Sequence, residues 1–194
     1  MRTLPVLLLA VLPSTAFASG DATAGKALYE PCQACHGADA GGDAAKKAPR
    51  LAGQRTDYLI RQLTNFADTT RSSSDMHEAA STLESSSDRR NVVAYIDTLE
   101  PATPAETVSG DAAAGKAKWS LCFQCHGSRG EGSGTYGTPK LAGQHDWYLK
   151  QQLQDFASHS RSGDRYTDQM EQAADALKSD QDIANVVAYI NTLE

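Results

Sequence analysis

All four cysteines of the chain belong to two copies of one motif, residues 32–36 (CQACH) and 122–126 (CFQCH). Two thiols about one helical turn apart can each add to a vinyl group on the same porphyrin edge, and the adjacent histidine is then held against the iron. This spacing is typical of c-type haem attachment. We therefore predict two covalently bound haem c groups, attached through Cys32, Cys35, Cys122 and Cys125, with His36 and His126 as axial ligands.

Three other kinds of site use paired cysteines. The pairs of a Cys₄ zinc ribbon are ~15–20 residues apart, whereas 86 residues separate the two pairs here. A thioredoxin-like dithiol lies near a βαβ pattern, which this sequence does not show. Two structural disulfides would suit an exported chain, but they would not require a histidine after each pair. Haem attachment accounts for both histidines and leaves no cysteine over.

A haem iron with one histidine either takes a sixth ligand or keeps an open position, and this choice separates electron carriers from catalysts. Apart from Met1, the chain has two methionines, Met76 and Met170, which lie 40 and 44 residues after the motif histidines. Thioether sulfur is a soft ligand that favours Fe(II). We predict both methionines as sixth ligands, which would close the irons to substrate.

Alternatives to this ligand assignment stay open. Both methionines would also serve as flexible core fillers, although gap filling does not need matched placement. His77, directly after Met76, is the stronger alternative ligand because imidazole also binds iron. The equivalent residue in the second half is Glu171, so this alternative applies to the first half alone. His145 and His159 have no histidine counterparts and are predicted to be surface residues.

The chain repeats itself, which predicts two homologous halves. Residues 49–54 (PRLAGQ) match 139–144 (PKLAGQ) at an offset of 90, and residues 91–96 (NVVAYI) recur at an offset of 94, so four residues are inserted before Met170. The halves meet near a Pro-containing segment that is typical of a semi-rigid linker. We predict a first domain over residues 19–100, a linker over 101–109 and a second domain over 110–194.

The predicted fold class is all-α, because no stretch shows the sustained alternation of a strand. Leu59, Leu63 and Phe66 lie at i, i+4 and i+7, so a middle helix buries one face. A first helix, capped by Asp21 or Asp111, is predicted to end just before the cysteine motif. A last helix is predicted to bury Val92, Ile96 and Leu99 in the first half and Val186, Ile190 and Leu193 in the second.

The N-terminus has the pattern of a signal peptide. Arg2 precedes an apolar stretch, residues 4–12, and Ala16 and Ala18 bracket Phe17 as in an A-x-A cleavage site. The stretch is shorter than the ~20 residues of a spanning helix. We predict a signal peptide over residues 1–18 and an exported mature protein, with an uncleaved anchor as the alternative.

The charge balance restricts the partners. The chain has a formal net charge of −6, and removal of Arg2 with the signal peptide makes the mature chain more acidic. An acidic protein repels nucleic acid and favours partners with basic docking surfaces. We therefore predict redox proteins with basic docking surfaces as partners and no nucleic-acid binding.

Together these motifs resemble the dihaem cytochrome c4 family, in which two class I cytochrome c domains lie in tandem. The resemblance covers the whole mature chain and includes the repeated Tyr-Leu-x-x-Gln-Leu-x-x-Phe and Ala-Tyr-Ile segments. It implies that each domain is wrapped around a covalently attached haem. It also implies electron transfer in the periplasm from a quinol-oxidising complex to a terminal oxidase. The quinol-oxidising complex would be quinol-cytochrome c reductase.

The resemblance further implies that the carbonyls of Pro49 and Pro139 accept the Nδ1 hydrogens of the motif histidines. Arg71 and Arg161 match the family's arginine before the methionine loop, which is shorter in the first half (residues 72–75). They are placed near the haems or at the domain interface, with ordinary surface positions as the alternative.

Two other functions stay open. One is an electron-transfer subunit of a periplasmic dehydrogenase complex, and the other is a dihaem enzyme, which the lack of a spare cysteine disfavours. The sequence also leaves peripheral association with the membrane open.

Overall fold

The computed structural model describes residues 20–193, so the predicted signal peptide lies outside the described residues. The first half contains α1 (Ala22–His36), α2 (Thr56–Ala67), α3 (Ser74–Ser81) and α4 (Ser86–Ile96). The second half contains α5 (Ala112–Lys118), a 3₁₀ turn (Trp119–Leu121), α6 (Phe123–His126), α7 (Asp146–Ala157), α8 (Arg165–Ala174) and α9 (Asp180–Ile190). Over the described residues, extended pairing is limited to two isolated bridges, Asp43 with Ala48 and Ser133 with Thr138. The prediction of an all-α fold is confirmed.

The first and last helices of each half cross closely, α1 on α4 and α5 on α9. A Cβ added to Gly25 would lie 1.9 Å from the carbonyl oxygen of Asn91, so only glycine allows this approach. The side chain of Asn91 accepts a hydrogen bond from the backbone nitrogen of Asp21 at 2.8 Å. Asp21 in turn caps α1, as predicted. The same arrangement recurs in the second half with Gly115, Asn185 and Asp111.

The apolar faces of the middle and last helices form a separate core in each half. Leu59 and Phe66 of α2 and Ile96 of α4 are buried, as the periodicity predicted. Leu99 was predicted on the last helix, but it packs on the core from the turn that follows α4, and Leu193 does the same after α9. Between residues 20 and 193, no helix is long and apolar enough to cross a membrane.

The first helix of the first half does not end before the cysteine motif, and that prediction was wrong. It continues through the motif to His36, even though Pro31 lies inside it. It stops at Gly37, whose φ of +80° is favourable for glycine and breaks the helical path. In the second half, Leu121 replaces Pro31, and the same stretch is divided into α5, the 3₁₀ turn and α6.

Both methionines lie on helices, although the family resemblance implied a methionine loop. Met76 is on α3 and Met170 is on α8. The side chain of Ser73 caps α3 by accepting a hydrogen bond from the backbone nitrogen of Met76, and Asp164 caps α8. These capping residues, Ser73 and Asp164, were the signal in the sequence for a helix at each methionine.

The predicted linker contacts both halves. Nη1 of Arg50 donates a hydrogen bond to the carbonyl of Ala102 at 3.2 Å. Asp146, at the start of α7, is only 2 % exposed. Its carboxylate accepts hydrogen bonds from the backbone nitrogen of Val108 at 2.7 Å and from the hydroxyl and backbone nitrogen of Thr107. A buried carboxylate therefore fastens the end of this segment to the second half.

We expect Asp146→Ala to lower the free energy of unfolding of the holoprotein by about 2–3 kcal/mol at pH 7, because buried N–H groups lose their acceptor. Burial by itself raises the pKa of Asp146, but hydrogen bonds from Val108, Thr107 and Trp147 outweigh it and lower the pKa below its ordinary value. Such a group stabilises the fold above the unfolded pKa of about 3.9, and this contribution is lost as pH falls through the folded value.

Urea unfolding at pH 7 and pH 3 measures this effect. The difference in the free energy of unfolding between the parent and Asp146→Ala should be smaller at pH 3 than at pH 7. Asp146→Asn keeps one acceptor oxygen, so its free energy of unfolding at pH 7 should lie between those of the other two proteins. Equal differences at both pH values would contradict a role for the ionised carboxylate.

Candidate haem sites

The two motif histidines are buried and oriented in the same way. His36 is 5 % exposed and His126 is 4 % exposed. Nδ1 of His36 lies 2.8 Å from the carbonyl oxygen of Pro49, and Nδ1 of His126 lies 3.0 Å from that of Pro139. Nδ1 therefore donates its proton to the carbonyl, and Nε2 is left as the ligand atom. Burial lowers the pKa of both rings despite these hydrogen bonds, so the imidazoles are neutral at pH 7, the form that binds a metal.

The motif cysteines do not have the properties of a redox dithiol. Cys32 and Cys122 are half-buried, and burial raises the pKa of each thiol to about 11 in the haem-free chain. An attacking cysteine of a dithiol oxidoreductase has a lowered pKa instead. In residues 20–193, no group of three or more His, Cys, Asp or Glu side chains is placed to hold a metal ion. Cys35 and Cys125 are exposed, so one edge of each motif faces solvent.

In the second half, the methionine and histidine side chains meet. Sδ of Met170 lies 3.5 Å from Nε2 of His126, the ring nitrogen that the proline contact leaves free. Both residues line a cavity of about 100 Å³, partly open to solvent, together with Cys122 and Cys125. A nitrogen and a thioether sulfur that face each other beside two thiols fit the donor set of a covalently attached haem.

In the first half, Met76 is half-buried at the equivalent place, on the helix that packs against α2. Within the described part of the chain, a contact between a histidine nitrogen and a methionine sulfur occurs only in the second half. Nδ1 of His77, the rival ligand, lies 2.9 Å from the carbonyl oxygen of Phe66. One ring nitrogen of His77 is therefore already engaged with the backbone of α2.

Two arginines cross between the halves. Nη2 of Arg71 donates hydrogen bonds to the hydroxyl of Tyr148 at 3.2 Å and to Oε1 of Gln152 at 2.9 Å. In the mirrored direction, Nη2 of Arg161 donates to the hydroxyl of Tyr58 at 3.4 Å. Both arginines lie at the domain interface, which was one of the two placements predicted, and both line the cavity of the second motif. They are not ordinary surface residues.

The repeated LAGQ segments form a second part of the interface. The side-chain amide of Gln54 donates to the carbonyl of Lys140 and accepts from its backbone nitrogen, both at 2.8 Å. Gln144 makes the same pair of hydrogen bonds with Arg50, at 2.8 Å and 3.0 Å. In the sequence, these glutamines indicated only a repeat. Their recurrence as polar residues at one place in both halves was the signal for a pseudo-symmetric contact.

The two histidines that lack counterparts differ in environment. His145 is half-buried, and its Nε2 lies 2.8 Å from the carbonyl oxygen of Gly41 in the other half, so the prediction of a surface position was wrong. The first half covers His145, and a comparison of the two repeats contains no information about contacts between them. His159 is exposed, as predicted, and its Nδ1 lies 2.9 Å from a carboxylate oxygen of Glu171.

The repeated helical fold and the geometry around each motif are those of tandem c-type cytochrome domains. The cytochrome c family model matches residues 22–100 and 112–194. Cytochrome c4 of Pseudomonas aeruginosa is 37% identical over 203 residues, which cover 100% of both chains. The chain belongs to the dihaem cytochrome c4 family.

A solved structure and a second relative agree with this assignment. The crystal structure of reduced recombinant cytochrome c4 from Pseudomonas stutzeri has a TM-score of 0.75 and 31% identity, with 90% of this chain and 100% of that chain covered. A thiosulfate dehydrogenase electron acceptor of Stutzerimonas stutzeri is 34% identical over 169 residues, which cover 81% of this chain and 76% of its own. The protein is thus a dihaem electron-transfer protein with two covalently bound haem c groups.

Proposed function

We propose that this protein is a periplasmic electron carrier that acts between a quinol-oxidising complex and a terminal oxidase. The observation that supports this function best is the 3.5 Å distance between Sδ of Met170 and Nε2 of His126. A haem bound from both sides has no position left for a substrate, so its iron can change oxidation state without binding one. Methionine with histidine also raises the reduction potential, which suits the oxidase end of a respiratory chain.

In this proposal, the residues of each site have separate roles. The four cysteines form the thioether bonds that keep each haem in place, and His36, His126, Met76 and Met170 are the axial ligands. The carbonyls of Pro49 and Pro139 hold the histidine rings so that Nε2 faces the iron. None of these residues transfers a proton to a substrate, and the protein is proposed not to be an enzyme.

The predicted signal peptide and the acidic chain support the location and the partners. Export places the protein with the periplasmic faces of respiratory complexes, and its negative charge suits partners with basic docking surfaces. The surfaces around the two motifs also differ. Leu121, Phe123 and Tyr136 are exposed around the second motif, where the first half has Pro31, Gln33 and Lys46. Two different surfaces suit a carrier that exchanges electrons with two different partners.

The second candidate function is an electron-transfer subunit that receives electrons from a periplasmic dehydrogenase. The similarity to a thiosulfate dehydrogenase electron acceptor favours this candidate. Purification from the native source under mild conditions separates the two functions, because a subunit copurifies with its catalytic partner and a free carrier does not.

Carbon monoxide binding tests the closed axial sites. We expect the reduced holoprotein at neutral pH to show no change in its haem spectrum under carbon monoxide, because a methionine occupies each sixth position. Met170→Ala is the positive control and should bind one equivalent. Rapid binding by the parent protein would overturn the carrier assignment and favour a dihaem enzyme.

A further inference from the structure

An ion pair between the two halves lies at the cavity of the second motif. Nε of Arg61, on α2 of the first half, is 3.1 Å from Oδ2 of Asp164, which caps α8 of the second half. The guanidinium also donates to the carbonyl of Gly137 at 2.7 Å and lies 4.4 Å from the ring centre of Tyr166. All four residues line the same cavity as the second motif and its methionine.

Among residues 20–193, the first motif has no counterpart of this pair. At an offset of 90, Arg61 corresponds to Gln151, an exposed residue that bonds to Asp155 in its own helix at 2.7 Å. Asp164 and Tyr166 belong to residues 162–169, a segment four residues longer than its counterpart, residues 72–75. The insertion therefore supplies the second half with the acidic partner and the aromatic ring that receive Arg61.

The charges of this pair are poorly screened. The two side chains are each 23 % exposed. Charges in a partly buried cavity act on one another more strongly than in water, and salt weakens them less. A positive charge beside a haem favours Fe(II), and a negative charge favours Fe(III). While the pair is intact the two effects oppose each other, so the loss of either residue leaves one charge uncompensated.

We propose that Arg61 and Asp164, paired across the domain interface, bias the reduction potential of the second haem in opposite directions, so that each charge balances the other. This inference rests on the proposed electron-carrier function and deepens it, because it distinguishes the two haems. Arg61 and Asp164 act on the haem through their charges. They are not ligands of the iron.

Equilibrium redox titration of the holoprotein tests the proposal through the sign of the shifts. Arg61→Gln, which installs the residue found at the equivalent place in the second half, should move one wave to lower potential. Asp164→Asn should move the same wave to higher potential, and asparagine still caps α8. The double variant should return the wave close to its parent position. Lys26→Gln removes one positive charge from an exposed site on α1 and should leave both waves in place.

Met170→Ala identifies which wave belongs to the second haem. Shifts of the same sign in both single variants would show a loss of structure instead of a loss of charge, and would overturn the proposal. Shifts confined to the wave that Met170→Ala leaves in place would also overturn it. If Met170→Ala moves neither wave, the ligand assignment fails, while opposite shifts of one wave in Arg61→Gln and Asp164→Asn would still support the charge effect.

Discussion

Replacing Met76 by alanine is expected to move one of the two redox waves to lower potential by on the order of 0.1 V, a fraction of the ~0.8 V range that axial ligands span. The thioether favours Fe(II), and its loss either opens the iron or admits a harder ligand. The other wave should move little, because the second haem keeps its own ligands. Spectroelectrochemical titration of the purified holoprotein measures both waves together.

His77→Ala is the matched control because the two residues are adjacent on α3. Because Met76 is the proposed sixth ligand of the first haem, we expect both waves to stay nearly in place. If His77→Ala moves a wave and Met76→Ala does not, the first haem has two histidine ligands and a lower potential than we propose. Met170→Ala should repeat the Met76→Ala result on the other wave.

Replacing Cys35 by alanine is expected to reduce the covalently bound haem from two per chain towards one. Attachment depends on the two thiols and the histidine of a single motif, which lie within five consecutive residues. The second half should therefore still load its haem. Mass spectrometry of the intact protein counts the attached groups, and Cys125→Ala provides the mirrored variant.

The interface makes this experiment informative about folding as well. Gln54, Gln144 and the two crossing arginines tie the halves together through hydrogen bonds. If Cys35→Ala also prevents attachment in the second half, the halves fold as one unit, and the proposed division into independent domains fails.

The sequence by itself was sufficient to predict the haem cofactor of each half, because the chemistry of its attachment is local. The cysteines and histidine of each motif are within one or two helical turns, so their spacing alone indicates the haem. The repeat places Met76 and Met170 at matched positions, and this match is independent of the fold. The apolar faces of α2 and α7 were also predictable, since burial of a helix face leaves a periodic pattern in the sequence.

Only the tertiary structure decided how the two halves meet. Arg71 and Tyr148 are 77 residues apart in the chain, and Arg61 and Asp164 are 103 apart, yet each pair is in contact. Such contacts depend on how the two halves pack on each other. The residues next to each contact residue in the sequence do not indicate this packing. For the same reason, His145 was mistaken for a surface residue. The sequence thus determined what each half binds, and the packing of one half on the other determined how their haem environments differ.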